Sequence, residues 1–137
     1  LAVAGVVDVG IVSNSLYSPP GDLVRVSGGA SATEVRGNVL WAEEGYALYV
    51  ANDSQTGFFS DFNNLFSSGT GRIGYWTRDF NDILDWQADI ARFDLNSIGR
   101  TDVNPQWAEP RFVNRGQDDY RLLPVAAQLR FTSPGID

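Results

Sequence analysis

The chain has 137 residues with no Cys, Met or His, and all ten of its basic residues are Arg, so Lys is also missing. These gaps exclude disulfides, zinc sites built on Cys or His, Ser-His-Asp triads, Cys nucleophiles and lysine Schiff bases. A net charge of −7 makes nucleic acid an unfavourable partner, and 43% hydrophobic residues with 4 Trp, 5 Tyr and 8 Phe predict one folded domain rather than a disordered chain.

The first twelve residues are an apolar run. The run contains Asp8 and two glycines and has no basic residue before it, so we do not interpret it as a signal peptide. No run in the chain has the length and apolarity of a transmembrane helix, so we predict no membrane span. The segment resembles the middle of a strand, because no cap or turn precedes it. We therefore expect upstream coils of a longer parent chain, or another copy of the chain, to cover the apolar strand edges of residues 1–9.

An internal repeat with spacings of 24 and then 25 residues extends to about residue 76. Asn, Leu and aromatic residues recur at fixed offsets, and the apolar residues of a second block keep the same period. The columns are Asn14, Asn38 and Asn63; Leu16, Leu40 and Leu65; Tyr17, Trp41 and Phe66; Val24, Leu48 and Ile73; and Val26, Val50 and Tyr75. Gly21 and Gly45 precede the second block, with Thr70 at the third position. Five columns that share one period indicate a solenoid.

The pattern inside each repeat indicates which kind of solenoid forms. Short β-branched and aromatic runs alternate with a period of two, with Leu48 and Val50 on one face, and Gly, Ser, Asn and Pro separate the runs. Such coils stack as parallel strands about 4.8 Å apart, so each residue lies next to its counterpart in the following coil. We therefore predict a ladder of amide hydrogen bonds through the Asn column and a stack of aromatic rings beside it.

The segment 79–92 breaks the repeat and predicts one short helix. Ile83, Trp86 and Ile90 form a stripe with helical spacing, and acidic residues suit the N-terminal turn of the helix. We place this lateral helix near residues 82–92 and expect Trp86 to hold it against the solenoid.

The remaining residues predict a closing coil. Asn96 is expected to resume the Asn column, and residues 99–110 to form a loop with two prolines as breakers. Short final strands are expected at 112–113 and 120–122. We therefore predict a single domain over residues 1–137, with regular coils at about 1–76, the lateral helix at about 79–92 and the closing coil at about 96–137.

Two sets of motifs resemble the right-handed parallel β-helix proteins of the pectate-lyase-like repeat family. The repeated unit hydrophobic-x-x-Asn-x-hydrophobic, followed by Gly-x-x-hydrophobic-x-hydrophobic, is similar to one coil of that family. The tail is similar to the family's closing coils at 109–113 (Glu-Pro-Arg-Phe-Val), 119–122 (Asp-Tyr-Arg-Leu) and 133–137 (Ser-Pro-Gly-Ile-Asp), with Glu109 where Asp is usual. The resemblance implies an all-β, right-handed parallel β-helix, its C-terminal portion in this chain, and a secreted or cell-surface location of the bacterial type.

The resemblance also implies which residues to consider for chemistry. The family's lyases use Arg or Lys as a base, often with calcium held by Asp, and its hydrolases use clustered Asp. The candidate catalytic residues are Arg25, Arg36, Arg72 and Asp61, and the candidate ligand-binding residues are Tyr49 and Trp76. Trp76 is chosen because its predicted column otherwise holds only the small residues Ser27 and Ala51, so we expect it to be exposed. The turn at 52–54 supplies a single carboxylate, so we predict no metal or other cofactor and leave calcium as an open alternative without support from the sequence.

The predicted register brings two pairs of candidates together. Arg36 and Asp61 share an outward column, where the simpler interpretation is a surface ion pair that contributes about 0–1 kcal/mol. Arg25 and Tyr49 share another outward column with Gly74. Two interpretations stay open for this pair: it binds a sugar ring and its carboxylate, or it only covers a solvated sheet face.

Two classes of function remain open. The first is a non-catalytic part of a secreted or cell-surface β-helix protein, either a structural scaffold or a module that contacts a polysaccharide or cell-surface glycan. The second is the C-terminal part of a polysaccharide lyase, or a related carbohydrate-active enzyme, that acts on an acidic polysaccharide. We favour the first class because catalytic sites need several converging groups and the outward columns contain no dense set of acids and bases.

Overall fold

Strands from successive coils form three parallel sheets around a common core. The structure is a computed structural model that describes residues 1–90 and 93–123. Sheet A contains β1 (Ala2–Ala4), β4 (Val24–Ser27), β7 (Tyr46–Val50) and β10 (Arg72–Trp76), with β11 (Arg78–Phe80) antiparallel at its end. Sheet B contains β2 (Val7–Val12), β5 (Ser31–Arg36) and β8 (Phe59–Asp61). Sheet C contains β3 (Ser15–Ser18), β6 (Val39–Ala42), β9 (Asn64–Ser67) and β12 (Ile98–Gly99).

The other elements follow or connect these strands. They are helix α1 (Ile83–Asp89), the antiparallel hairpin of β13 (Phe112–Asn114) and β14 (Asp119–Leu122), and two 3-10 turns at Asn52–Ser54 and Arg115–Gln117. The predicted fold class is confirmed for the described residues: an all-β parallel solenoid of about three turns with one short helix. The end of the predicted helix at 91–92 and the predicted closing motif at 133–137 lie outside the described residues.

The predicted Asn ladder is present. The Nδ2 atom of Asn14 donates to Oδ1 of Asn38 at 3.0 Å, and Nδ2 of Asn38 donates to Oδ1 of Asn63 at 3.1 Å. The backbone N–H of Asn14 also donates to Oδ1 of Asn38, and the backbone N–H of Asn38 also donates to Oδ1 of Asn63. The ladder thus satisfies polar groups that the turns between sheets B and C would otherwise bury without partners.

The predicted aromatic column lies on the outer face of sheet C, because adjacent residues of a strand point to opposite faces and the Leu column occupies the inner one. Tyr17 and Trp41 lie 5.6 Å apart and Trp41 and Phe66 lie 5.2 Å apart between ring centroids, both with edge-to-face geometry. The hairpin of β13 and β14 covers this column and places Phe112 against Trp41. The result is a second apolar cluster outside the coils.

Sheet A departs from the predicted register in the third coil. The turn before β10, residues 68–71, is one residue longer than the corresponding turn before β7, residues 43–45. The extra residue shifts β10, so Tyr75 pairs with Tyr49 and the predicted pairing of Gly74 with Tyr49 is wrong. The same shift places Gly74 beside Leu48, where Ile73 was expected, and moves Tyr75 away from its predicted partner Val50.

The predicted helix is confirmed, and α1 lies across the C-terminal end of the core. A Cβ atom on Gly74, in the last parallel strand of sheet A, would lie 2.5 Å from the ring of Trp86. A Cβ atom on Gly99, in the last strand of sheet C, would lie 3.0 Å from the Cβ of Ile83. Two inward positions therefore lack side chains because α1 fills that space with its own apolar residues.

The Asn ladder ends on residues other than the predicted one. The pairing of β12 places Ser97, not Asn96, next to Asn63, because Ile98 pairs one residue earlier than its motif predicts. The Oγ atom of Ser97 accepts a hydrogen bond from the backbone N–H of Asn63 at 2.8 Å. Asp94 accepts another from Nδ2 of Asn63 at 2.9 Å. A carboxylate and a hydroxyl thus terminate the ladder.

Candidate functional site

Sheet A presents a row of stacked side chains on its outer face. Arg25, Tyr49 and Tyr75 are register partners on β4, β7 and β10. The rings of Tyr49 and Tyr75 stack with centroids 4.5 Å apart and planes 11° apart. The guanidinium carbon of Arg25 lies 3.9 Å from the centroid of the Tyr49 ring. Since β7 lies between β4 and β10, both faces of the Tyr49 ring are occupied, and its edge and hydroxyl are left to meet a ligand.

Tyr46 joins this row from the other end of β7. Its ring makes edge contacts with Tyr49 at 5.3 Å and with Tyr75 at 5.9 Å. Its hydroxyl donates to Oδ1 of Asp79 at 2.6 Å. Burial and then this hydrogen bond raise the pKa of Tyr46 to about 12, so the hydroxyl stays protonated at neutral pH. We call Tyr46, Tyr49 and Tyr75 the tyrosine face.

Two of the candidate arginines form ion pairs beside the tyrosine face. Nη1 of Arg25 lies 2.5 Å from Oδ2 of Asp22, and Nε of Arg72 lies 2.9 Å from Oδ2 of Asp79. The hydrogen bond to Asp22 raises the pKa of Arg25, while partial burial lowers it by less. An arginine that acts as a base must lose a proton, and a carboxylate partner opposes that loss. These guanidinium groups are therefore better arranged to bind ligand oxygens than to abstract protons.

The other two catalytic candidates lie together on sheet B but make different contacts. Arg36 and Asp61 are register partners, as predicted, yet Arg36 forms its ion pair with Glu34 at 3.7 Å and lies over the Phe62 ring. The carboxylate of Asp61 accepts two hydrogen bonds from Asn96, both at 2.8 Å. Burial alone would raise the pKa of Asp61, but the hydrogen bonds from Asn96 and Phe62 outweigh it and hold the pKa below its ordinary value. Asp61 thus anchors the loop that follows α1.

Trp76 is half-buried rather than exposed as predicted. The shifted register pairs it with Val50 in an inward column instead of with Ala51. Its ring packs against Phe58 at 5.6 Å and against Phe93 at 5.2 Å. A ligand-binding role for Trp76 stays a prediction, and its packing is that of a core residue at the rim of the solenoid.

The structure brings Arg25, Arg72 and Tyr49 to one face, whereas Arg36 and Asp61 lie on another sheet. Sequence reasoning missed Tyr75, whereas it noted Tyr46 beside the Arg25 column and Asp79 near Arg72 without choosing either as a site residue. One signal was available, since three tyrosines fall within two neighbouring strands of sheet A, β7 and β10, but the length of the turn before β10 decides whether their rings meet.

The fold places the chain in the class of parallel β-solenoid proteins. No protein-family model, curated protein or solved structure matches it, so the resemblance to pectate-lyase-like proteins rests on the sequence motifs alone. Across residues 1–90 and 93–123, no group of three or more acidic side chains is placed to hold a metal ion. None of the helical segments in this part of the chain is both long enough and apolar enough to span a membrane.

Proposed function

We propose that the chain is a non-catalytic, glycan-contacting part of a secreted or cell-surface β-helix protein. The observation that carries this proposal is the tyrosine face, in which three rings on adjacent strands lie between two guanidinium–carboxylate pairs. Tyrosine hydroxyls, guanidinium groups and carboxylates hydrogen-bond sugar hydroxyls, and ring edges contact sugar C–H groups. Because these groups repeat from strand to strand, an extended glycan can follow the row along the solenoid.

The same contacts favour binding over catalysis by a polysaccharide lyase. A lyase needs a base beside the sugar carbon that loses its proton, and Arg25 and Arg72 each have a carboxylate partner that stabilises the protonated form. The pKa of the Tyr46 hydroxyl is raised to about 12, so very little of the phenolate that could act as a base is present at neutral pH. The face supplies hydrogen-bond donors and acceptors that are already oriented by one another.

Replacing Tyr49 and Tyr75 together by Ala is expected to weaken glycan binding about tenfold or more, because the stacked rings position Arg25 and form the centre of the face. Binding is measured as retardation of the protein in native gels that contain polygalacturonate, alginate or galactomannan. The matched control is Phe59→Ala, which removes an exposed aromatic ring from sheet B and should leave retardation unchanged.

Two results would contradict this proposal. One is a wild-type protein that none of the three polysaccharides retards, and the other is equal retardation of the wild type and the double tyrosine variant. The lyase alternative is followed in parallel as the growth of ultraviolet absorbance from unsaturated uronates. Absorbance that the wild type produces and Arg25→Ala abolishes would replace binding by catalysis as the function of this face.

A further inference from the structure

We propose that a cavity between sheet C and the loop before the hairpin binds one sugar residue of a neutral glycan. The cavity lies on a different side of the solenoid from the tyrosine face and does not depend on it. Trp41 and Phe66 line it from sheet C, and its other lining residues include Pro105, Gln106, Glu109 and Arg115. Its volume of about 460 Å³ lies within the range of small-molecule sites.

Charged side chains in the cavity have polar atoms that the protein itself does not satisfy. Arg100 and Glu109 both line this cavity, and the buried Nε of Arg100 has no hydrogen-bond partner among the described residues. Nη1 of Arg115 lies 3.6 Å from Oε1 of Glu43, close enough for an ion pair and too far for a hydrogen bond. Buried polar groups normally have partners, so this concentration of unsatisfied groups at one cavity points to a ligand.

The same cavity contains further groups of this kind. Nε of Arg100 and Oγ of Ser67 are both buried, and neither has a hydrogen-bond partner among the described residues. The Arg115 guanidinium is held 4.2 Å from the Trp41 ring centroid, which fixes its position at the cavity wall. A ligand that reaches these groups meets a preorganised surface, and preorganisation lowers the entropic cost of binding.

The balance of charges selects the class of ligand. Two guanidinium groups and two carboxylates line the cavity, from Glu43, Arg100, Glu109 and Arg115, so an isolated anion or cation meets like charges as well as opposite ones. A sugar hydroxyl donates to a carboxylate and accepts from a guanidinium group at the same time. The C–H groups of the ring can contact the apolar parts of Trp41. A neutral sugar residue therefore satisfies both signs of charge.

Saturation-transfer NMR on the full chain tests this proposal with four probes: the methyl glycosides of glucose, galactose and mannose, and N-acetylglucosamine. We expect transfer to at least one of these sugars. Glu109→Gln should weaken its binding about tenfold to a hundredfold, because a charge-assisted hydrogen bond is lost. The matched control is Glu44→Gln, which changes an exposed carboxylate outside the cavity. Gln106→Trp, a substitution at an exposed lining residue, should abolish transfer by filling the cavity.

Four outcomes would overturn the proposal. Absence of transfer to all four sugars would remove the ligand class, and transfer that survives both Glu109→Gln and Gln106→Trp would place the contact elsewhere. Displacement of the sugar by sodium acetate at equal concentration would identify an anion site instead. Loss of transfer in the tyrosine double variant but not in Gln106→Trp would assign the sugar to the tyrosine face, so failure of this proposal is distinguishable from failure of the proposed function.

Discussion

Replacing Trp86 with Ala is expected to lower the free energy of unfolding by about 3–5 kcal/mol, as for other large aromatic residues truncated in a core. Trp86 is fully buried at the end of the solenoid, where its ring occupies the space above Gly74 and packs edge-on against Phe80 at 5.3 Å. Its Nε1–H donates to Oδ2 of Asp94 at 2.9 Å. The Ala variant leaves a cavity and an unsatisfied carboxylate oxygen together.

Two further variants separate these contributions. Trp86→Phe keeps most of the ring packing and loses the hydrogen bond, so we expect a loss of about 1–2 kcal/mol. Trp107→Ala removes a tryptophan that is 54% exposed, and we expect a change within about 0.5 kcal/mol. Unfolding is followed by far-ultraviolet circular dichroism in guanidinium chloride. An Ala variant at Trp86 that is no less stable than the Trp107 variant would show that α1 does not close the core.

The role of Trp86 also illustrates what the sequence could predict. Its helical spacing with Ile83 indicated a helix packed on the solenoid, and the structure confirms this. The sequence did not indicate that the helix covers the end of the coils, because that depends on Gly74 and Gly99 lying at inward positions of the last coil. Those positions follow from the register, which local composition does not determine.

The Asn ladder from Asn14 to Asn63 and the register of sheets B and C up to β9 were predictable, because identical residues must stack for the ladder to form. The prediction failed at β12, where no Asn continues the column. Sheet A has no such constraint in its turns. One extra residue in the turn at 68–71 (Ser-Gly-Thr-Gly, against Glu-Glu-Gly at 43–45) shifts all of β10. The tyrosine face depends on that shift, because it brings Tyr75 rather than Gly74 beside Tyr49. The repeat was therefore sufficient to predict the fold, whereas the arrangement of the tyrosine face could not be predicted without the structure.

Substituting Asp94 by Ala is expected to lower the free energy of unfolding by about 2–4 kcal/mol. The carboxylate is fully buried and accepts hydrogen bonds from Asn63 at 2.9 Å, from Ser97 at 2.6 Å and from Trp86 at 2.9 Å. Removing it leaves the Trp86 N–H without an acceptor, which costs about 1–3 kcal/mol, and also removes the hydrogen bonds with Asn63 and Ser97. The measurement is urea unfolding at neutral pH.

Asp94 also makes stability depend on pH, in the direction opposite to that of a surface ion pair. Burial raises the pKa of Asp94, although hydrogen bonds from Ser97, Asn63 and Trp86 lower it in part. The native state therefore binds a proton more tightly than the unfolded chain, whose Asp pKa is about 3.9. The stabilisation from the protonated acid is complete below that pH and is lost as the pH rises through the raised native pKa. Ser97 can accommodate the proton because its hydroxyl can accept a hydrogen bond as well as donate one.

Comparison of the wild type with Asp94→Asn isolates this dependence, since Asn does not titrate and Asp61, whose pKa is lowered, is the same in both proteins. The free energy of unfolding of the wild type minus that of the Asn variant should be largest below about pH 4 and should fall as the pH rises through the raised pKa of Asp94. In the Asp94→Asn variant, the new side-chain NH2 group would face Asn63 or Trp86, each of which also presents a donor there. Two donors that face each other cannot form a hydrogen bond, so the variant should be less stable than the wild type at low pH. A difference that stays constant, or grows with pH, would mean that Asp94 is ionised in the native state at no cost. In that case the hydrogen bonds from Asn63, Trp86 and Ser97 would compensate fully for the cost of burying the charged carboxylate of Asp94.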